Sequence, residues 1–207
     1  MNAADGHAHV PIVVLAAGEG LRYGGAKQLA DVGGEPMLRR VARTALGTGA
    51  PVLVVTGARA PQVETALAGL PLQVARHPGW RDGMGSSLAA GIRRLRRFWP
   101  DADGVLLCLA DQPLLDGAML AHLLQRHRQA PAHILATDHD GKAGPPVLFP
   151  RDCLDALADW SGTRGAQALL DREAARVETF AFGILPDVDT PADLARVYGL
   201  LGSSPSP

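Results

Sequence analysis

Short apolar runs alternate along this chain with stretches of helical periodicity, and that alternation limits the fold more than any other feature. Ile12 to Leu15, Val52 to Val55, Leu72 to Ala75, Val105 to Leu109 and Ile134 to Ala136 are short and bounded by turn residues, so they read as buried strands. Between them, Leu38, Val41, Ala42, Ala45 and Leu46 share one helical face over Met37 to Leu46. Leu120, Leu123, Leu124 and His127 do the same over Asp116 to Arg128. Ser86 to Phe98 carries Leu88, Ile92 and Leu95 on one side, with Ser86 or Ser87 expected as its cap. The pattern predicts an α/β fold: a mostly parallel open sheet with helices on both faces.

The pattern loosens after Thr137. Asp138 to Ala143 reads as a polar turn, Val147 to Phe149 as a short strand, and Val177 to Phe182 as another. Cys153 to Trp160 and Ala166 to Arg172 read as short helices. Pro191 opens a last helix as its first residue, with Asp189 or Thr190 before it as cap. No linker or internal repeat divides the chain, so residues 1–207 read as a single domain with frayed tails at 1–9 and 202–207.

Composition removes several function classes. The chain has 20 Lys plus Arg against 21 Asp plus Glu, a formal charge of −1, which argues against an all-over basic surface for nucleic acid or anionic lipid. At 47% hydrophobic and 20% charged over 207 residues, it can bury a core without metal or disulfide support. Two cysteines, Cys108 and Cys153, are too few for a disulfide framework and suit a reducing compartment. No apolar run approaches the ~18 residues of a membrane span, and no basic-then-apolar leader opens the chain. The expectation is a cytoplasmic protein with no membrane or nucleic-acid partner.

The first strand runs straight into Leu15-Ala16-Ala17-Gly18-Glu19-Gly20-Leu21-Arg22-Tyr23-Gly24-Gly25-Ala26-Lys27. Open sheets of this class bind ligands beyond the carboxyl ends of their strands. Small residues let backbone N–H groups approach phosphate oxygens, and Arg22 and Lys27 add two cations. A Rossmann loop is excluded because the third glycine comes one place late and the second strand ends in Thr56-Gly57. A P-loop is excluded because Lys27 follows Ala26 and precedes Gln28. No Gly-x-Ser-x-Gly elbow is present around Ser86 and Ser87. Asp111 ends an apolar strand, which puts a carboxylate at the same edge of the sheet as the loop. Taken alone, Asp111 is a turn cap or a metal ligand, and Asp189 a helix cap or a ligand.

Leu-Ala-Ala-Gly-x-Gly-x-Arg-x-Gly-x-x-Lys over residues 15–27 resembles the opening motif of the sugar-nucleotide-type nucleotidyltransferases. The closest resemblance is to the molybdenum cofactor cytidylyltransferases of the MobA-like branch. Gly83-Met84-Gly85-Ser86-Ser87-Leu88, Leu109-Ala110-Asp111-Gln112-Pro113, Gly144 with Pro146 to Phe149, and Asp187-Val188-Asp189-Thr190-Pro191 follow in that family's order.

The resemblance implies a Rossmann-like nucleotidyltransferase fold, its N-terminal half binding nucleotide and its C-terminal half the acceptor. It implies cytidylyl transfer from CTP to the phosphate of molybdopterin or molybdenum cofactor, with release of pyrophosphate. Lys27, Arg22 and Asp111 become the expected catalytic residues. Leu15, Ala16, Ala17, Gly18, Gly20, Arg22, Lys27, Gly83, Ser87 and Asp111 become the nucleotide contacts. Asp111 and Asp189 become the ligands of Mg²⁺ or Mn²⁺, with Asp187 a further candidate. The methyl of Ala17, where guanylyltransferases tend to carry glycine, points to a pyrimidine base and so to CTP over GTP. Lys142, Arg164 and Gly144 to Phe149 fall on the acceptor side. His77, Pro145 and the Gly162-Thr163-Arg164 segment depart from the family pattern, which leaves the acceptor more open than the nucleotide. A molybdenum hydroxylase or its chaperone is an expected protein partner. Two other readings stand beside this one: a nucleotidyltransferase for another phosphorylated small molecule, and a non-catalytic carrier of the molybdenum cofactor.

Overall fold

In the computed structural model, which describes residues 9–161 and 165–202, seven strands form one sheet in the order β3-β2-β1-β4-β6-β5-β7. They are β1 (Ile12–Ala16), β2 (Val52–Thr56), β3 (Gln73–Arg76), β4 (Gly104–Leu109), β5 (Ile134–His139), β6 (Lys142–Pro150) and β7 (Val177–Phe180). Of these strands, β6 alone is reversed: it pairs antiparallel with both β4 and β5, and every other pair is parallel. The expected mostly parallel open sheet is therefore present. All five residues of β1 are buried, because helices cover both faces and no alternation of polar and apolar residues is needed.

The helices are α1 (Met37–Leu46), α2 (Ala60–Thr65), α3 (Met84–Phe98), α4 (Gly117–Gln129), α5 (Leu154–Ala158), α6 (Gln167–Arg172) and α7 (Pro191–Leu201). On one face, Ile12, Val14, Val54 and Leu106 pack with Leu38 and Val41 of α1 and Leu120 and Leu123 of α4. On the other, Val13, Leu15, Val55 and Leu107 pack with Leu88, Ile92 and Leu95 of α3 and Leu157 of α5. Truncating one such buried side chain to alanine costs about 2–5 kcal/mol. None of the described helices is long and apolar enough to cross a membrane.

The structure differs from the sequence pattern at four places. Neither serine caps α3: the cap is Gly83, at φ 102°, and Ser86 lies inside the first turn with its hydroxyl donating back to the Gly83 carbonyl at 2.8 Å. The segment 138–143 is a hairpin tip rather than a free turn, with Asp138 opposite Ala143 and His139 opposite Lys142. Its two-residue loop, Asp140 and Gly141, has φ 53° and 86°, the conformation that matches strand twist. Helix α2 was not legible, since only Ala60 and Val63 of its six residues are buried. His9, expected within the N-terminal tail, is held by its N–H, which donates to Asp103 Oδ2 at 2.8 Å. Residues 1–8 and 203–207 of the two tails lie outside the described residues.

Helix α7 has the expected Pro191 start, and of the two candidate caps it uses Thr190. The Thr190 hydroxyl accepts from Asp193 N–H while Asp193 Oδ2 accepts from Thr190 N–H at 2.7 Å, a reciprocal capping box. A third apolar cluster, Val32, Met37, Val188 and Val197, fixes this helix to the segment after the glycine loop. Tyr198 Oη donates to the Asp31 carbonyl at 2.7 Å in the same contact.

Candidate active site

Strands β1 and β4 are neighbours, with Leu15 in register with Leu109. Their carboxyl ends release the glycine loop and Asp111 side by side. A cleft of about 850 Å³ opens there. Leu15, Ala16, Ala17, Gly18, Gly20, Arg22, Lys27, Gly83, Ser87, Asp111 and Asp189, all singled out from sequence, line it together.

The loop folds through two short 3₁₀ turns, Leu21–Tyr23 and Lys27–Leu29. Gly20 sits at φ 71° and a Cβ there would fall 2.3 Å from the Gly25 carbonyl oxygen, so both conformation and space demand glycine. Gln28, only 3% exposed, reaches back under the loop. Its Nε2 donates to the carbonyls of Gly18 at 2.6 Å and Ala16 at 3.2 Å. In the sequence, Gln28 bears only on the absence of a P-loop. Its bracing role had no local signal.

The basic loop and the acidic strand end, expected at the same edge of the sheet, meet directly. Lys27 Nζ donates to Asp111 Oδ2 at 2.7 Å and to Asp189 Oδ1 at 2.8 Å. Arg22 Nη2 lies 2.8 Å from Asp189 Oδ2. Burial of the Lys27 side chain would lower its pKa, but the two carboxylates outweigh that and hold it above the ordinary lysine value. Arg22 is largely exposed at the rim. Asp111 Oδ1 is buried and has no hydrogen-bond partner. That is an acceptor left without the donor its desolvation calls for.

Asp187 lines the same cleft but turns its Oδ1 to Gln112 Nε2 at 3.0 Å. The residue is exposed, yet protein atoms around the carboxyl displace enough water, with Asp111 nearby, to raise its pKa. Gln112, 1% exposed, also donates to the Pro145 carbonyl at 3.2 Å, which ties β6 to the acidic corner. His139 Nε2 donates to that same carbonyl at 2.7 Å.

On the opposite side, Trp80 and Arg81 join the lining, the guanidinium 4.5 Å from the indole centroid. Neither was read from sequence as a site residue, because a Trp-Arg pair in a polar loop carries no periodic signal. Lys142, expected on the acceptor side, is not part of the cleft lining and pairs with His139 at the hairpin tip. Thr163 and Arg164 lie outside the described residues. Cys108 is fully buried in the sheet core, and burial pushes its thiol pKa up. On the outer side of α3, Arg93 donates to the Ala158 carbonyl, Arg96 pairs with Asp155, and Arg94 stacks on Phe98.

The architecture places the chain among open-sheet α/β proteins whose ligand loops sit at the carboxyl edge of the sheet. Residues 12–177 match the MobA-like NTP transferase domain, and the chain belongs to that family. Among curated relatives, it is 35% identical over 139 residues to nicotine blue oxidoreductase of Paenarthrobacter nicotinovorans, covering 66% of this chain and 65% of that one. It is 31% identical over 119 residues to purine catabolism protein PucB of Bacillus subtilis, covering 56% of each. The alignment thus spans less than two thirds of the length of these relatives. Among solved structures, Rv0371c from Mycobacterium tuberculosis superposes with a TM-score of 0.81 at 29% identity, over 91% of this chain and 96% of that one. A complex of Rv0371c with manganese superposes with a TM-score of 0.76 at 28% identity, over 91% of this chain and 97% of that one.

Proposed function

We propose that this chain transfers a cytidylyl group from CTP to the terminal phosphate of a phosphorylated small molecule, with molybdopterin or molybdenum cofactor as the acceptor. The observation that carries the reading is the convergence of Lys27, Arg22, Asp111 and Asp189 beside the glycine loop. Residues before β5 hold the nucleotide in this reading, and those from β5 onward meet the acceptor.

An acceptor phosphate oxygen is already a nucleophile at neutral pH, so no covalent enzyme intermediate is required. It forms its bond to the α-phosphorus as the bond from that phosphorus to the pyrophosphate oxygen breaks. The chain's task is to hold two polyanions together and to spread the developing charge. Lys27 and Arg22 exchange their carboxylate partners for triphosphate oxygens, and the N–H groups of the glycine loop cradle the same anion. Gln28 keeps that loop in place.

The residues fit a divalent cation, Mg²⁺ or Mn²⁺. Asp111 Oδ1 is buried without a partner, and Asp189 offers a second hard oxygen donor. Among the described residues no group of three or more His, Cys, Asp or Glu could hold a metal alone, which suits an ion whose remaining ligands are phosphate oxygens and water. Asp111 and Asp189 would hold it, and its charge would polarise the phosphates as a Lewis acid. The manganese complex of Rv0371c supports a metal in this fold. CTP is favoured because Ala17, which lines the cleft, carries a methyl where guanylyltransferases tend to carry glycine.

The test is to mix the protein with each nucleoside triphosphate, Mg²⁺ and molybdenum cofactor, measure pyrophosphate, and identify the product by mass. CTP-dependent pyrophosphate with a cytidylylated product is expected. Absence of any magnesium-dependent CTP affinity would overturn the reading and leave a carrier of the cofactor in its place.

A further inference from the structure

The segment from His77 to Gly83 links β3 to α3 and carries Trp80 and Arg81 into the cleft. It is a stretch of loop and one 3₁₀ turn, so its position depends on what holds it. The His77 N–H donates to the Thr56 carbonyl at 2.8 Å and anchors one end. The other end is fastened through Ser86. Its Oγ lies 2.8 Å from the Gly83 carbonyl, 3.2 Å from the Gly79 carbonyl and 3.0 Å from His77 Nε2.

A hydroxyl has one proton and can donate only once. Two carbonyl oxygens lie within 3.2 Å of Oγ and would repel its lone pairs if its proton pointed away to the imidazole, so that proton goes to a carbonyl, nearest that of Gly83. His77 Nε2 must then be the donor, and Ser86 Oγ its acceptor. The result is a directed chain, His77 Nε2–H to Ser86 Oγ to Gly83 O, that closes the turn from beneath. Neither His77 nor Ser86 lines the cleft.

The turn is also seated from the other side. A Cβ at Gly57 would fall 2.7 Å from Trp80 Cβ and 2.8 Å from Ala17 Cβ. The missing side chain at 57 is therefore what lets Trp80 and Ala17, both of which line the cleft, pack close together over Gly57.

We infer that His77 and Ser86 are positioning residues for nucleotide selection, setting the Trp80–Gly83 wall against Ala17 across the side-chain-free Gly57. The inference rests on the nucleotidyl-transfer reading for its ligand, while the placement of the turn can be tested without one. Hydrogen exchange at Gly79 to Gly83 reads the placement directly. His77→Phe and Ser86→Ala are expected to speed that exchange. His77→Gln, whose amide N–H reaches as far as the imidazole Nε2–H, restores it. Unchanged exchange in His77→Phe, or no recovery in His77→Gln, overturns the inference whether or not CTP binds.

Calorimetry with CTP and GTP in Mg²⁺ reads selection. Loss of this one hydrogen bond is expected to weaken CTP binding about tenfold and narrow its preference over GTP, with turnover at saturating CTP within about threefold. Gly57→Ala, which touches neither His77 nor Ser86, is expected to change the CTP–GTP ratio as well. A wild-type protein that binds no nucleotide defeats the proposed function. A wild-type that binds CTP, with ratios unmoved in both His77→Phe and Gly57→Ala, defeats this inference alone.

Discussion

Lys27 Nζ and Asp111 Oδ2 are 2.7 Å apart although 84 residues separate them in the chain. The parallel pairing of β1 with β4 brings them together, since each residue leaves the carboxyl end of its own strand. In the proposed reaction neither has a substitute. Lys27→Ala and Asp111→Ala are each expected to lower turnover by roughly 10²–10³, the usual cost of removing one transition-state charge contact. Far-UV circular dichroism should show both variants folded, because the core clusters do not include either residue. Pyrophosphate release near the wild-type rate in either variant would remove that residue from the mechanism.

The same contact makes an ammonium group compete with a metal for carboxylate oxygens. Mn²⁺ binding followed by electron paramagnetic resonance should be weak without nucleotide and tighter with CTP, which draws Lys27 onto phosphate. Lys27→Ala should raise Mn²⁺ affinity in the nucleotide-free protein. Equal affinities in wild type and variant would mean that the ammonium does not compete.

The capping box at α7 predicts a pH dependence. The Thr190 hydroxyl first, then the Arg196 guanidinium, hold the Asp193 carboxyl down to about 2 from an ordinary 3.8. A depressed carboxylate stabilises the fold fully above the unfolded value and loses that contribution as pH falls through the folded one. The melting temperatures of wild type and Asp193→Asn should therefore differ at neutral pH and converge between about pH 4 and pH 2. Thr190→Ala should cost about 1 kcal/mol at neutral pH, lowering the melting temperature by roughly 2–4 °C.

Both thiols should be inert in the native protein. Cys108 is fully buried and Cys153 is 2% exposed, and burial raises the Cys153 pKa to about 11 despite the nearby Arg176. Alkylation by iodoacetamide at pH 8, followed by intact mass, should add nothing until denaturant is present. Rapid native labelling of Cys153 would show that the α5 region opens more readily than its packing implies.

The fold class was legible in Val52 to Val55 and Val105 to Leu109 because strands covered on both faces need only continuous apolar residues. The length and reversal of β6 were not legible, since only Val147 to Phe149 carries the apolar signal and pairing with β4 and β5 extends the strand back to Lys142. Lys27 and Asp111 stood out because a cation after a glycine loop and an acid after an apolar run are chemical signals, whereas Asp189 was singled out only through the family resemblance. Their direct contact was not legible, because distance in space is absent from spacing in sequence. Gln28 and Trp80 were missed for a related reason. One braces a loop and the other walls a cleft, and such roles depend on neighbours that the chain supplies far away. Ser86 looked like a cap by residue type, but glycine at 83 with φ 102° takes that place.

Asp189 stands one residue before the Thr190 cap, and Lys27 reaches it from 162 positions earlier. During synthesis the glycine loop leaves the ribosome long before α7 does. A growing polypeptide therefore holds Lys27 beside one of these two acids at most until the segment around Asp189 has docked, with Val188 and Val197 against Val32 and Met37. Charge balance at the cleft therefore depends on closure between two segments 162 positions apart, and no shorter stretch of this chain that ends before Asp189 can hold Lys27 between two carboxylates.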